Sequence, residues 1–97
     1  MTEKPRLDIT NPHGADVPAF TCLVYVRTVD GQVSARVANL DGIEASAGNE
    51  REVLGKVIPA FKKQVAELIH GGQPIPWIDP PRPLDDGEQK RIVPVHL

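Results

Sequence analysis

The residues able to do chemistry in this chain are few and lie apart. Its three histidines, His13, His70 and His96, fall in a loop, at a helix end and in a terminal strand. A helical zinc site needs a second histidine four residues on, and none of the three has one. His70 has a plainer role, since an imidazole in the last helical turn favours the helix dipole. Cys22 stands in an alternating apolar run and reads as a small buried hydrophobe. A thiol nucleophile would need exposure and a neighbouring base or cation. Asp30, Asp41, Asp85, Asp86 and Glu88 belong to turns and loops, and the two Asp-Gly steps follow from turn propensity alone. Two-metal hydrolysis needs carboxylates converging from strand interiors, where Glu44 stands alone. Gly71-Gly72 follows a helix, whereas a phosphate-cradling loop precedes one. The residues therefore lead to no expected catalytic group, cofactor or metal.

Charge and composition narrow the partners. The 97 residues are 40% hydrophobic and 25% charged, with a formal net charge of −2 and 4% aromatics. The core must rest on Val, Ile, Leu and Ala. A nucleic-acid binder shows a basic excess or stripe, and neither is present, so no direct nucleic-acid contact is expected. One cysteine allows no intrachain disulfide. The N-terminus lacks an apolar signal segment and no run reaches the roughly 20 apolar residues of a membrane span. The expectation is a cytoplasmic protein with no membrane contact. Lys62-Lys63-Gln64 reads as a solvated helix face. Trp77, set among prolines, reads as an apolar pin for a long connection, with a partner contact as the other reading.

The elements that must position these groups are well punctuated. Residues 1–18 hold three prolines and read as a tail, with a short edge strand conceivable at Arg6–Thr10. Residues 19–97 form one domain. Ala19–Leu40 is a hairpin turning at Asp30-Gly31, the two-residue type I′ signal. That turn sets Val29 against Gln32, Thr28 against Val33, Val26 against Ala35 and Val24 against Val37. One face becomes Phe20, Cys22, Val24, Val26, Val33, Ala35 and Val37, which should meet a helix. The other carries Leu23, Tyr25, Arg27, Ser34, Arg36 and Ala38, with Tyr25 opposite Arg36 for a cation–π contact. That mixed face reads first as a solvent face and second as a binding or dimer face.

After Asp41-Gly42 comes a minimal third strand, Ile43–Ser46, broken by Gly48. A helix then spans about Glu50 to His70, capped by Asn49 with Glu52 three residues on. Its apolar stripe is Leu54, Val57, Ile58, Phe61, Val65, Leu68 and Ile69. Pro59 deprives the Gly55 carbonyl of its partner and predicts a kink within one helix. Gly71 is the expected left-handed C-cap. Residues 72–89, with five prolines, form an extended connection. Lys90–Leu97 closes the chain as an edge strand, with the Pro94 amide position turned away from its neighbour. The fold class is α+β, a two-layer sandwich of order β-β-β-α-β, an antiparallel meander covered by one long helix.

Leu40, Gly42, Gly48, Asn49, Glu52 and Leu54, then the amphipathic helix, then Gly72, Pro74, Ile75 and Pro76 resemble the N-terminal domain of HicB-type antitoxins. That family shows a hairpin ending in a Leu-Pro-Gly turn, a short strand, a Gly-Asp-Ser/Thr helix start and often G-x-P-I-P after the helix. Here Asp41 replaces the turn proline. The resemblance covers about Val24 to Pro76. It implies a partial ribonuclease-H-like fold, a domain that binds and masks a small toxin ribonuclease, and dimers or larger assemblies. The family's DNA-binding segment has no counterpart in this sequence.

The expected function is thus non-catalytic protein–protein contact. The partners would be a second copy in a homodimer or a small basic toxin, met by Leu23, Tyr25, Arg27, Arg36 and Trp77. The alternatives are a structural subunit of a larger complex, and a small-ligand binder or enzyme using His13, His96 and the Trp77 loop.

Overall fold

The computed structural model describes residues 19–97; the tail, its conceivable strand at Arg6–Thr10 and His13 lie outside them. Four strands and one helix follow in the order β1 (Ala19–Val29), β2 (Gln32–Val37), β3 (Glu44–Ala47), α1 (Glu50–His70) and β4 (Gln89–His96). They make one antiparallel sheet of strand order β3-β2-β1-β4, with α1 on one face. This is the expected α+β sandwich.

The Asp30-Gly31 turn has positive φ at both positions, 52° and 77°, as a type I′ turn requires. The resulting register is the expected one: Val24 pairs with Val37, Val26 with Ala35 and Val29 with Gln32. Alternation then delivers Cys22, Val24, Val26, Val33, Ala35 and Val37 to the front face. There they meet Val53, Val57, Phe61 and Val65 of α1. The line 53-57-61-65 corrects the helix stripe. Val53 is fully buried, whereas Ile69 is exposed, because each step of four overshoots a full turn by about 40° and the row has drifted off the sheet by the time it reaches Ile69. The third strand also sits one residue later than expected. Ile43 precedes it, buried, with its carbonyl accepting the Val37 N–H at 3.0 Å.

Both helix ends are closed by local chemistry. Asn49 Oδ1 accepts the Glu52 N–H at 2.8 Å. At the other end the left-handed residue is Gly72, with φ 69°, and not Gly71, whose φ is −82°. Gly72 N–H donates to Ile69 O and Gln73 N–H to Leu68 O, the paired bonds of a Schellman motif. The reason is positional: Gly71 still completes the helical turn, so the reversal falls on the next residue. The helix runs unbroken through Pro59.

An up-down-up meander followed by a returning helix brings the chain to the end of the sheet where β1 begins. A short link there would start β4 parallel to β1. Residues 72–88 instead climb the back of the sheet, so β4, which begins at Gln89, one residue earlier than expected, enters beside Val26 and descends antiparallel to β1, ending with His96 beside Ala19. Within the connection the Asp79–Pro80 peptide is cis.

Backbone directions follow from the bonds around Leu23. Its carbonyl accepts the Ala38 N–H and its N–H donates to Asn39 Oδ1. Odd-numbered residues of β1 therefore turn their backbone groups toward β2, and even-numbered ones toward β4. In the β1–β4 register Gln89, Arg91, Val93 and Val95 oppose those even residues. Lys90, Ile92, Pro94 and His96 thus turn theirs outward. Pro94 lies where the missing N–H breaks no bond to β1, as expected of an edge-strand proline.

Candidate functional site

The back of the sheet is where the sequence places its partner face, and the structure divides it in two. Leu23, Tyr25 and Ala38 form a second, smaller buried cluster, so this half is no solvent face. The connection covers it. Ile78 N–H donates to Asn39 O, Arg82 N–H to Ala38 O, and the Tyr25 hydroxyl donates to Arg82 O at 2.6 Å. The reason is the apolar pair Leu23 and Tyr25 on β1, which needs a lid that the single helix, on the other face, cannot supply.

Asn39 anchors this lid. Its carboxamide accepts from Leu23 N–H and donates to Thr21 O at 2.9 Å. A side chain thereby supplies the rung that β2 would have made had it continued. In the sequence Asn39 carries only a turn signal, one residue before Leu40-Asp41-Gly42, and nothing local marks it as an anchor.

The open half is a polar groove of about 440 Å³, floored by β1, β2 and β3 and walled by the Asp85–Glu88 turn. Tyr25, Arg27 and Arg36 all reach it, with Ser34, Glu44 and Ser46 along its far side. Arg36 lies over the Tyr25 ring at 5.3 Å from its centroid, the expected cation–π geometry. Its guanidinium also holds Glu88 by two bonds of 2.8 and 2.7 Å and donates to Pro83 O. The hydrogen bonds from Arg36 hold the Glu88 carboxyl below its ordinary range, and the same pairing raises Arg36. Arg27 donates to Asp86 O. The groove's cations are therefore committed to the connection, with Arg27 the more exposed of the two.

The remaining sequence-predicted residues go elsewhere. Trp77 is the pin: its ring centroid lies 6.0 Å from those of both Phe20 and Phe61 on the helix side. It shares no surface with the groove. Leu23, Tyr25, Arg27 and Arg36 thus share the back of the sheet, with Leu23 in the buried cluster and the other three at the groove, whereas the connection carries Trp77 round the edge of the sheet to the helix side. His96 is exposed at the foot of β4.

Chemically, these groups bind and brace. Burial pushes the Cys22 thiol up to about 12, which leaves it protonated and unreactive at neutral pH. Among the described residues no group of three His, Cys, Asp or Glu side chains could hold a metal ion, and no helix is long and apolar enough to cross a membrane.

The two sheet edges differ. The outward Ser46 carbonyl on β3 accepts from the Lys56 ammonium at 3.0 Å, and β3 is only four residues long. β4 is eight residues long, and its back-facing Ile92 is 66% exposed. No protein family, no curated protein and no solved structure matches this chain.

Proposed function

We propose that this chain is a non-catalytic binding module that works by protein–protein contact through its sheet edge. The carrying observation is β4: a long edge strand, unpaired on its outer side among the described residues, presenting Ile92 at its middle. A lone monomer gains nothing from that arrangement, since an open edge invites pairing. The HicB-type resemblance supplies the specific form of this reading, the masking of a small basic ribonuclease toxin. It also supplies the ribonuclease-H-like character of the β-β-β-α-β order.

The test is capture with the full chain from its native cell extract, together with light scattering on the purified protein across concentration. A self-associating chain, or one stoichiometric partner lost on substitution of Ile92→Lys, supports the reading. A small basic partner whose ribonuclease activity the chain inhibits supports the masking form; a partner with no such activity removes it. A chain that stays monomeric at about 100 μM, near the range of weak specific contacts, and holds no partner refutes the reading as a whole.

A further inference from the structure

The edge of β4, unpaired among the described residues, also carries information about what pairs with it. We propose that the occupant is a second copy of this chain, joined β4 to β4 in antiparallel fashion with Val93 opposite the partner's Val93. This rests on the contact-module reading above and goes further by fixing partner and register.

The choice of edge comes first. The β3 edge is short and its Ser46 carbonyl is capped by Lys56, devices that blunt an edge against pairing. The β4 edge has only Pro94 and Lys90 of that kind. α1 packs mainly over β2 and β3 and only lightly over β1 and β4, so the helix lies toward the β3 side of the sheet. A second sheet can continue past β4 without the two helices colliding.

The register follows from the proline. The outward backbone donors of β4 are those of Lys90, Ile92 and His96, while Pro94 contributes a carbonyl and no N–H. An edge lacking one donor cannot satisfy every register equally. With Val93 at the two-fold axis, Lys90 exchanges both bonds with the partner's His96, and Ile92 N–H donates to the carbonyl of the partner's Pro94. Every donor left on the edge then has an acceptor. A slip that centres Ile92 leaves the His96 donor beyond the end of the partner strand. A slip that centres Pro94 sets the two prolines face to face and strands the Lys90 donor.

Charge and apolar surface agree with this choice. Antiparallel pairing sends Lys90 and Arg91 of the two copies to opposite ends, whereas parallel pairing would stack them on their equivalents, which is destabilising. Arg91 is already tied to Glu50 across the front face at 2.8 Å. On the back, the exposed Ile92 meets the partner's Pro94, closing a small apolar cluster on each side of the axis.

A cysteine scan on the full chain tests this directly, in a Cys22→Ala background. Val93 opposite itself is a non-hydrogen-bonded pair, whose Cα atoms lie about 4.5 Å apart, within disulfide reach. Mild oxidation of Val93→Cys should give a covalent dimer, and the Ile92→Cys and Val95→Cys variants far less. Ile92→Pro removes only an outward donor and leaves the ladder to β1 intact. It should weaken dimerisation at least tenfold by light scattering while the circular dichroism spectrum stays unchanged. A dimer that cross-links best elsewhere, or that Ile92→Pro leaves intact, overturns this interface and spares the contact-module reading. A monomer that loses a captured partner on Ile92→Pro does the same. A monomer with no partner overturns both.

Discussion

Replacing Glu88 by Gln should unfasten the connection from the back of the sheet. The Glu88 side chain is 8% exposed and that of Arg36 is 28% exposed. Its carboxylate receives two bonds from the guanidinium and one from the Asp85 N–H at 2.7 Å. Gln keeps the volume and one acceptor, so the substitution removes one charge-assisted bond and turns an amide donor toward a cation. Bonds to charged groups contribute about 1.5–3 kcal/mol each. Allowing for the partial exposure of Arg36, the expected loss is about 2 kcal/mol. For a body of this size that corresponds to a fall in Tm of roughly 8–16 °C, read by thermal melting at pH 7.

The pH dependence supplies a second reading of the same contact. The folded value of Glu88 lies below its unfolded one, so its contribution is complete above the ordinary carboxylate range and fades as pH falls through the depressed value. The gap between wild type and Glu88→Gln should therefore close in acid. A loss under about 0.5 kcal/mol at neutral pH, the size of an ordinary surface substitution, would refute the reasoning. So would a gap that does not narrow at all as the solution is taken from neutral pH into acid, since protonation of the carboxylate removes the charge that the two chains differ by.

Other substitutions probe the remaining joints. Asn39→Ala orphans the Leu23 N–H and the Thr21 carbonyl and should cost about 2–3 kcal/mol by denaturant titration. Gly72→Ala meets no atom within 4 Å, but φ is +69°, so backbone strain alone should lower stability by about 1 kcal/mol. Pro59→Ala restores a donor for the Gly55 carbonyl on the exposed side of α1 and should raise Tm, a gain bounded by the roughly 3 kcal/mol cost of an interior proline. Phe61→Ala empties the centre of the core and removes one of the two rings against Trp77; a loss of about 3–5 kcal/mol should show as a greatly lowered urea midpoint.

The parts of the fold readable in the sequence are those set by short-range backbone chemistry. Asp30-Gly31 fixed the hairpin register because only one turn geometry suits both residues, and every side-chain face follows from that register. Asn49 placed the helix start, and Pro94 placed the last strand at an edge. The groove was half legible. Tyr25 and Arg36 meet because the turn puts them opposite each other. Arg36 and Glu88 meet across 52 residues of chain, through a proline-rich segment with no periodicity to say which face it follows. For the same reason the burial of Leu23 and Tyr25 could not be read from the strand, whose pattern is that of a mixed face under either outcome. Asn39 went unseen because its role depends on where β2 stops.

The extra pass that the connection makes has a consequence for how this body joins other chains. By reversing β4 it brings Ala19 and His96 opposite each other on neighbouring strands, about 5 Å apart as paired residues are. The folded unit thus opens and closes at a single corner. Residues 19 and 96 can be bridged by a short linker and new termini cut at the exposed Asp30-Gly31 tip, giving a circular permutant with the same sheet. The same corner lets the unit be spliced into a surface loop of a host protein as a self-contained plug, with both of its strands leaving through one narrow neck.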